Sequence, residues 1–132
     1  MRLVSYWSDG VGTYTPPGHW NLIASENFVQ ENYSELRWSR NMALLNITMM
    51  DAAISCWDAK YLYFNPRPCQ IDSTIKTLTG TPNFPAYVSG HSTFSAAAAT
   101  FLSHIIPSKQ PIFQSMLHFL FDCDLKIRFN LF

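Results

Sequence analysis

The stretch that decides the fold is residues 34–64, SELRWSRNMALLNITMMDAAISCWDAKYLYF, which contains no glycine and no proline. Ser34 at its start is a typical helix N-cap, because a serine hydroxyl accepts a hydrogen bond from a free backbone N–H of the first turn. Apolar residues between Leu36 and Leu62 occupy more than one face, and a helix that is apolar nearly all round is a buried one. The following Asn-Pro-Arg-Pro, residues 65–68, ends it, because a residue before proline avoids the α region. We therefore predict one long buried helix.

A second helix is predicted on the C-terminal side, over residues 92–106. It contains four consecutive alanines, residues 96–99, which have high helix propensity and small side chains. Pro107 closes it. So thin a helix lets neighbouring elements approach closely.

The remaining segments carry weaker signals. Short helices are predicted over residues 21–29 and 73–78. The aromatic segment 6–20 contains glycines and a double proline, which favour an ordered loop. Residues 108–132 are apolar and contain few residues that would mark the end of a helix, so they indicate either a short helix or a tail. The chain is predicted to be all-α with long loops.

Composition excludes several classes of protein. The chain has 132 residues, which suits one domain. Nine basic and nine acidic side chains give a net charge of zero, which argues against a nucleic-acid partner. No apolar run reaches the length of a membrane span, and the first residues do not resemble a signal peptide. The three cysteines form no CxxC pair, so they do not indicate a cellular compartment for the protein.

Two short motifs carry residues suited to binding an anion. The first is Lys60, six residues, then Arg67 and Pro68; the second is Ser89-Gly90-His91, where a loop meets the alanine-rich helix. Lysine offers a point charge and arginine a planar fork of donors. A helix N-terminus offers free N–H groups, and a glycine there allows close approach. Histidine is the residue type whose unperturbed pKa, roughly 6.5, lies near neutral pH, so it suits proton exchange.

Each motif also has an ordinary explanation. A lysine and an arginine seven residues apart are commonly a solvated surface pair, and Ser-Gly-His before a helix is commonly a capping turn. Their combination, with a proline on each side of Arg67 and the alanine-rich helix following His91, favours a shared anion site over two unrelated features.

Together the two motifs resemble the first two signatures of the type 2 phosphatidic acid phosphatase and vanadium-dependent haloperoxidase superfamily. The sequences Trp-Ser-Asp-Gly at residues 7–10 and Phe-Pro-Ala-Tyr-Val-Ser-Gly-His at residues 84–91 look more like its haloperoxidase branch. Val88 stands where members usually have proline. The resemblance implies a partial helical bundle over residues 1–107, followed by a tail, residues 108–132, that does not match the family.

The resemblance also implies roles for individual residues. Lys60, Arg67, Ser89 and the backbone N–H of Gly90 would bind the oxygens of vanadate or phosphate, and His91 would exchange protons. Three further positions match family residues with other roles: Trp57 and Phe84 would line the halide side of the pocket, and Asp9 would brace an arginine. Core packing for the two aromatic residues, and a turn residue for Asp9, are equally good interpretations.

The family's third motif, Ser-Arg followed by His and Asp, has no match after His91. His104 lies inside the alanine-rich helix, and His118 has no Ser-Arg before it. The chain is therefore expected to be C-terminally incomplete, without the histidine that binds vanadium or attacks phosphate. No metal ligand is assigned.

Three functions follow as hypotheses. The first is a vanadium-dependent haloperoxidase that oxidises halide with hydrogen peroxide, weakly active or inactive because the third motif is missing. The second is a phosphatase of the same superfamily that hydrolyses phosphate esters. The third is a non-catalytic remnant that folds poorly or binds a partner through exposed apolar surface, with self-association as one form of such binding. The expected partners are small molecules, with no nucleic acid and no membrane span.

Overall fold

The computed structural model describes residues 6–7, 12–77 and 80–129, with side chains up to residue 120. Within these ranges the chain is helical and contains no strand, so the all-α prediction is confirmed. The elements follow one another in this order: α1 Pro16–Gln30, α2 Glu35–Tyr63, α3 Pro68–Ile71, α4 Gly90–Ile105, a 3₁₀-helix Pro107–Lys109 and α5 Gln110–Phe129.

Both ends of α2 lie where the sequence predicts them. The Ser34 hydroxyl accepts a hydrogen bond from the N–H of Arg37 at 3.4 Å. At the other end Phe64 adopts a left-handed conformation, with φ 47° and ψ 41°, and its N–H donates to the Lys60 carbonyl at 3.0 Å. The helix therefore stops one residue before Asn65 and Pro66.

The prediction that α2 is buried on all sides is wrong. One face, with Asn41, Leu45, Met49 and Cys56, packs inward, toward α1 and α4. The apolar side chains on the opposite face are exposed to solvent. In the described part of the chain no other element covers that face, because α1 and α4 are the helices that pack against α2.

Helix α1 begins earlier than predicted. Pro16 and Pro17 occupy its first turn, after Thr15 as N-cap, instead of preventing a helix before residue 21. Proline is well suited to this position, because the first N–H groups of a helix have no partner within the helix and the fixed φ of proline is already helical. The earlier start brings His19 and Trp20 into the helix, where both are buried.

A predicted helix over residues 73–78 is also wrong for the described residues 73–77. The carboxylate of Asp72 accepts hydrogen bonds from the N–H of Thr74 at 2.9 Å and from its hydroxyl at 2.6 Å. Both bonds lower the pKa of Asp72, and the bond from the Thr74 hydroxyl has the larger effect. Such side-chain bonds give the backbone an alternative to the helix, and the short helix lies upstream, at Pro68–Ile71.

Helix α4 forms the centre of the core. Ala98 and Ala99 are fully buried, and α1, α2 and α5 all pack against this helix. Ser95 is buried and accepts a hydrogen bond from the indole N–H of Trp20 at 2.9 Å. The thin alanine-rich surface thus allows three helices to share one core.

The segment after Pro107 is a regular helix. Pro107 opens the 3₁₀ turn that leads directly into α5. Phe113, Leu117 and Leu120 of α5 are buried in the same core cluster as α4. Of the helices described here, none has the combination of length and apolar character that crossing a bilayer requires.

Candidate oxyanion site at the start of α4

Lys60 lies in the last turn of α2, with only 1% of its surface exposed. Its ammonium donates hydrogen bonds to the carbonyl of Pro85 at 2.8 Å and to that of Ala86 at 3.3 Å. The N–H of Ala86 in turn donates to the carbonyl of Asn65 at 3.0 Å. Lys60 therefore fixes the loop that precedes α4 against the end of α2.

Arg67 contacts the same loop. Its Nε donates to the carbonyl of Phe84 at 3.0 Å, and the centre of its guanidinium lies 4.9 Å from the centroid of the Phe84 ring. Arg67 is the N-cap residue of α3 and stands between Pro66 and Pro68. Because proline restricts the backbone on both sides, placing this side chain costs less conformational entropy.

The two cations and two aromatic rings form one group, which we call the cation–aromatic cluster: Trp57, Lys60, Arg67 and Phe84. The ammonium of Lys60 lies 4.9 Å from the Phe84 ring centroid and 5.8 Å from that of Trp57. The two ring centroids are 5.7 Å apart. Cations are attracted to aromatic faces at such distances.

The start of α4 lies against this cluster. A Cβ placed on Gly90 would be 3.7 Å from two ring atoms of Trp57, so the indole ring packs on the glycine backbone. The hydroxyl of Ser89 accepts a hydrogen bond from the N–H of Ser92 at 3.3 Å and caps the helix. The predicted capping turn is present, and it brings the N–H end of α4 beside Trp57. An oxygen that caps in this way still carries a hydrogen to donate.

His91 is the second residue of α4. Its Nε2 lies 2.7 Å from the carbonyl oxygen of Trp7, so this ring is linked to the N-terminal part of the chain. The predicted brace, Asp9, lies outside the described residues.

The other histidines lie elsewhere. His19 is buried among the rings of Tyr6, Trp7 and Tyr14. His104 is near the far end of α4, about 20 Å from His91 along the axis at 1.5 Å per residue, and His118 is exposed on α5. No group of three or more His, Cys, Asp or Glu in the described ranges is arranged to hold a metal ion.

Sequence reasoning missed the main-chain acceptors of this site. The carbonyls of Phe84, Pro85 and Ala86 receive the hydrogen bonds of both cations. A carbonyl is present at every residue and leaves no signal in the sequence. Pro82 and Pro85, which stiffen the loop, are the sequence features that indicate an ordered segment there.

The fold and the site define an all-α protein with a cationic cluster at the N-terminus of a central helix. A family model described as the PAP2 superfamily matches residues 41–129, from within α2 through α5. The chain belongs to this superfamily, which confirms the resemblance at that level. The searches of curated proteins and of solved structures gave no match. The haloperoxidase branch and the division of the chain at residue 107 stay predictions.

Proposed function

We propose that the cation–aromatic cluster and the start of α4 bind a tetrahedral oxyanion, vanadate or phosphate. The observation that supports this is the convergence of Lys60 and Arg67 on one loop and one ring: both cations lie 4.9 Å from the Phe84 centroid. That loop leads directly into the N-terminal N–H groups of α4, which favour negative charge. In this proposal the oxygens of the anion accept hydrogen bonds from Lys60 and Arg67 on one side and from the N-terminal N–H groups of α4 on the other.

The residues of the site fit vanadate as well as phosphate. The donors are an ammonium, a guanidinium, the Ser89 hydroxyl and backbone N–H groups, and each of these binds oxygen rather than a bare metal ion. Bound vanadate supplies Lewis acidity toward hydrogen peroxide, the chemistry of a haloperoxidase. In this proposal Trp57 and Phe84 exclude water on the halide side of the pocket, and His91 exchanges a proton with the bound anion.

We expect turnover to be low. Residues 92–132 contain no Ser-Arg motif followed by His and Asp, and His104 lies at the wrong end of α4 to replace it. Preorganised donors would bind an oxyanion without that motif, but they do not supply the histidine that would bind vanadium or attack phosphate.

Thermal melting with and without orthovanadate tests the binding step. The wild-type chain should melt at a higher temperature with orthovanadate, because a ligand that binds only the folded state stabilises it. Arg67→Ala should abolish this shift. Arg37→Ala removes the same charge at the opposite end of α2 and serves as the matched control. A vanadate shift that persists unchanged in Arg67→Ala would overturn the site.

Two assays then test the chemistry. Vanadate-dependent bromination of a dye by hydrogen peroxide, however slow, supports the haloperoxidase. Hydrolysis of a phosphate ester that vanadate inhibits assigns the same pocket to a phosphatase. Vanadate binding with neither activity identifies a non-catalytic oxyanion-binding chain and overturns the enzymatic part of the proposal.

A further inference from the structure

An apolar stripe runs along the solvent side of α2. Its members, called here the outer stripe, are Leu36, Ala43, Ile47, Met50, Ile54 and Tyr61. Apart from Ala43, which is also exposed, the exposed fractions are 83% for Leu36, 57% for Ile47, 61% for Met50, 58% for Ile54 and 58% for Tyr61. At about 100° per residue, these positions fall on one side of the helix, directly opposite the buried Leu45, Met49 and Cys56.

The spacing of the outer stripe fits a second helix. Successive members are separated by three, four or seven residues, which is the a/d pattern of a seam between two packed helices. The stripe extends over about 38 Å of helix at 1.5 Å per residue. Apolar side chains scattered singly on a surface need no partner, but a continuous apolar stripe marks an interaction site.

The charges beside the stripe indicate which helix fits. Arg40 lies in the N-terminal half of α2 and Asp58 in the C-terminal half; both are exposed, and they lie on the same flank of the stripe. A second copy of α2 in the antiparallel direction brings each Arg40 to the level of Trp57 of the other copy, one residue from Asp58 and on the same flank as it. A parallel copy instead places the two Arg40 side chains at one level of the pair and the two Asp58 side chains at another, so neither charge lies beside an opposite one.

The apolar residues pair in the same arrangement. With a two-fold axis between residues 48 and 49, Ile47 lies opposite Met50 of the second copy. Ile54 lies opposite Ala43 of the second copy, and Tyr61 opposite Leu36. Each layer then joins an a position to a d position, and every pair occurs twice, as a two-fold interface requires.

We propose that the outer stripe is the interface of an antiparallel homodimer formed by α2 of two copies of this chain. The proposal does not rest on the oxyanion site, because no residue of the outer stripe belongs to the cation–aromatic cluster and Lys60 lies on the inner face of the same helix. It also explains why a helix with apolar residues on both faces is covered on only one of them within the described part of a single chain.

Sedimentation equilibrium or light scattering of the full 132-residue chain tests the association. The wild type should be dimeric at micromolar concentration. The double variant Ile47→Lys/Ile54→Lys should weaken association at least about 100-fold, because four apolar side chains per dimer are lost and four like charges are introduced. Val29→Lys changes an exposed apolar residue of α1 and should leave the dimer intact.

A charge exchange tests the direction of pairing. Arg40→Asp should weaken the dimer roughly tenfold, because it converts two exposed attractive contacts into repulsive ones. Arg40→Asp/Asp58→Arg has the composition and net charge of the wild type and should restore the dissociation constant. The helical circular dichroism signal should be unchanged in all variants, since the substituted side chains are exposed in the single chain. The melting temperature should fall only to the extent that the dimer dissociates.

Two results would overturn the proposal. A wild-type chain that is monomeric at about 100 μM would exclude a homodimer through the outer stripe. A dimer that the lysine substitutions leave intact, or that the double charge exchange weakens as much as the single one, would exclude this interface or its antiparallel direction.

Discussion

Lys60 and Arg67 are equally distant from the same aromatic ring: the ammonium nitrogen of one and the guanidinium carbon of the other each lie 4.9 Å from the centroid of Phe84. Lys60 comes from the end of α2 and Arg67 from the N-cap of α3. The tight turn between these helices, with the prolines on each side of Arg67, sets the separation of the two charges. Both side chains donate hydrogen bonds to carbonyls of the loop before α4, so the position of this loop depends on both.

Lys60→Met is expected to lower the free energy of unfolding by about 1–3 kcal/mol, because the carbonyls of Pro85 and Ala86 lose their buried donor. Removing the buried charge offsets part of this loss, but methionine cannot donate a hydrogen bond. Urea denaturation followed by circular dichroism measures the change. Lys76→Met, at an exposed position, is the control, with an expected change within about 0.5 kcal/mol. Unchanged stability in Lys60→Met would mean that Lys60 does not hold the loop.

Gly90→Ala is expected to weaken vanadate binding without lowering the stability of the fold. The added Cβ would meet Trp57 at 3.7 Å, an ordinary van der Waals distance. The substitution also reduces the entropy of the unfolded chain, so stability should stay the same or rise by up to about 1 kcal/mol. The methyl group occupies the approach to the N–H end of α4, and orthovanadate should therefore protect the variant less against melting. A variant that binds vanadate as the wild type does would place the anion away from Gly90.

Two serines of α4 differ in their hydrogen bonding, so substituting each one gives a test and its control. Ser95 accepts the indole hydrogen bond of Trp20 in the core, whereas the buried Ser103 hydroxyl has no hydrogen-bond partner in the described part of the chain. Ser95→Ala should cost about 1–3 kcal/mol, because the buried Trp20 N–H loses its acceptor. Ser103→Ala removes a hydroxyl without breaking a bond and should be neutral or slightly stabilising. Equal costs in chemical denaturation would contradict the role of the Trp20–Ser95 bond.

The helix termini that carry local chemical signals could be predicted from the sequence. The burial of individual helix faces could not. Ser34 caps α2 and the Asn65-Pro66 pair follows its end, because capping and proline restrictions act within a few residues. The exposure of Ile47 and Ile54 depends on which elements pack on α2. No local sequence pattern encodes which face is covered, because an exposed apolar helix face and a buried one can have the same spacing of apolar residues.

The proximity of the candidate site residues could be predicted from the two motifs, but their hydrogen bonds could not. The two motifs identify Lys60, Arg67 and the turn at Ser89 and Gly90, and the structure brings them to one loop. That both cations bind main-chain carbonyls of residues 84–86 depends on the path of the loop. The helix start at Pro16 was missed because proline was treated only as a helix breaker, although it is favoured in the first turn.

The contact between His91 and Trp7 has a consequence for the tautomer of the imidazole. A main-chain carbonyl has lone pairs and no hydrogen, so at 2.7 Å the Nε2 atom of His91 must be the protonated nitrogen. In the neutral ring the lone pair then belongs to Nδ1. As long as the Trp7 carbonyl stays in place, any proton that His91 takes up is received at Nδ1, and the residue acts as a one-sided base.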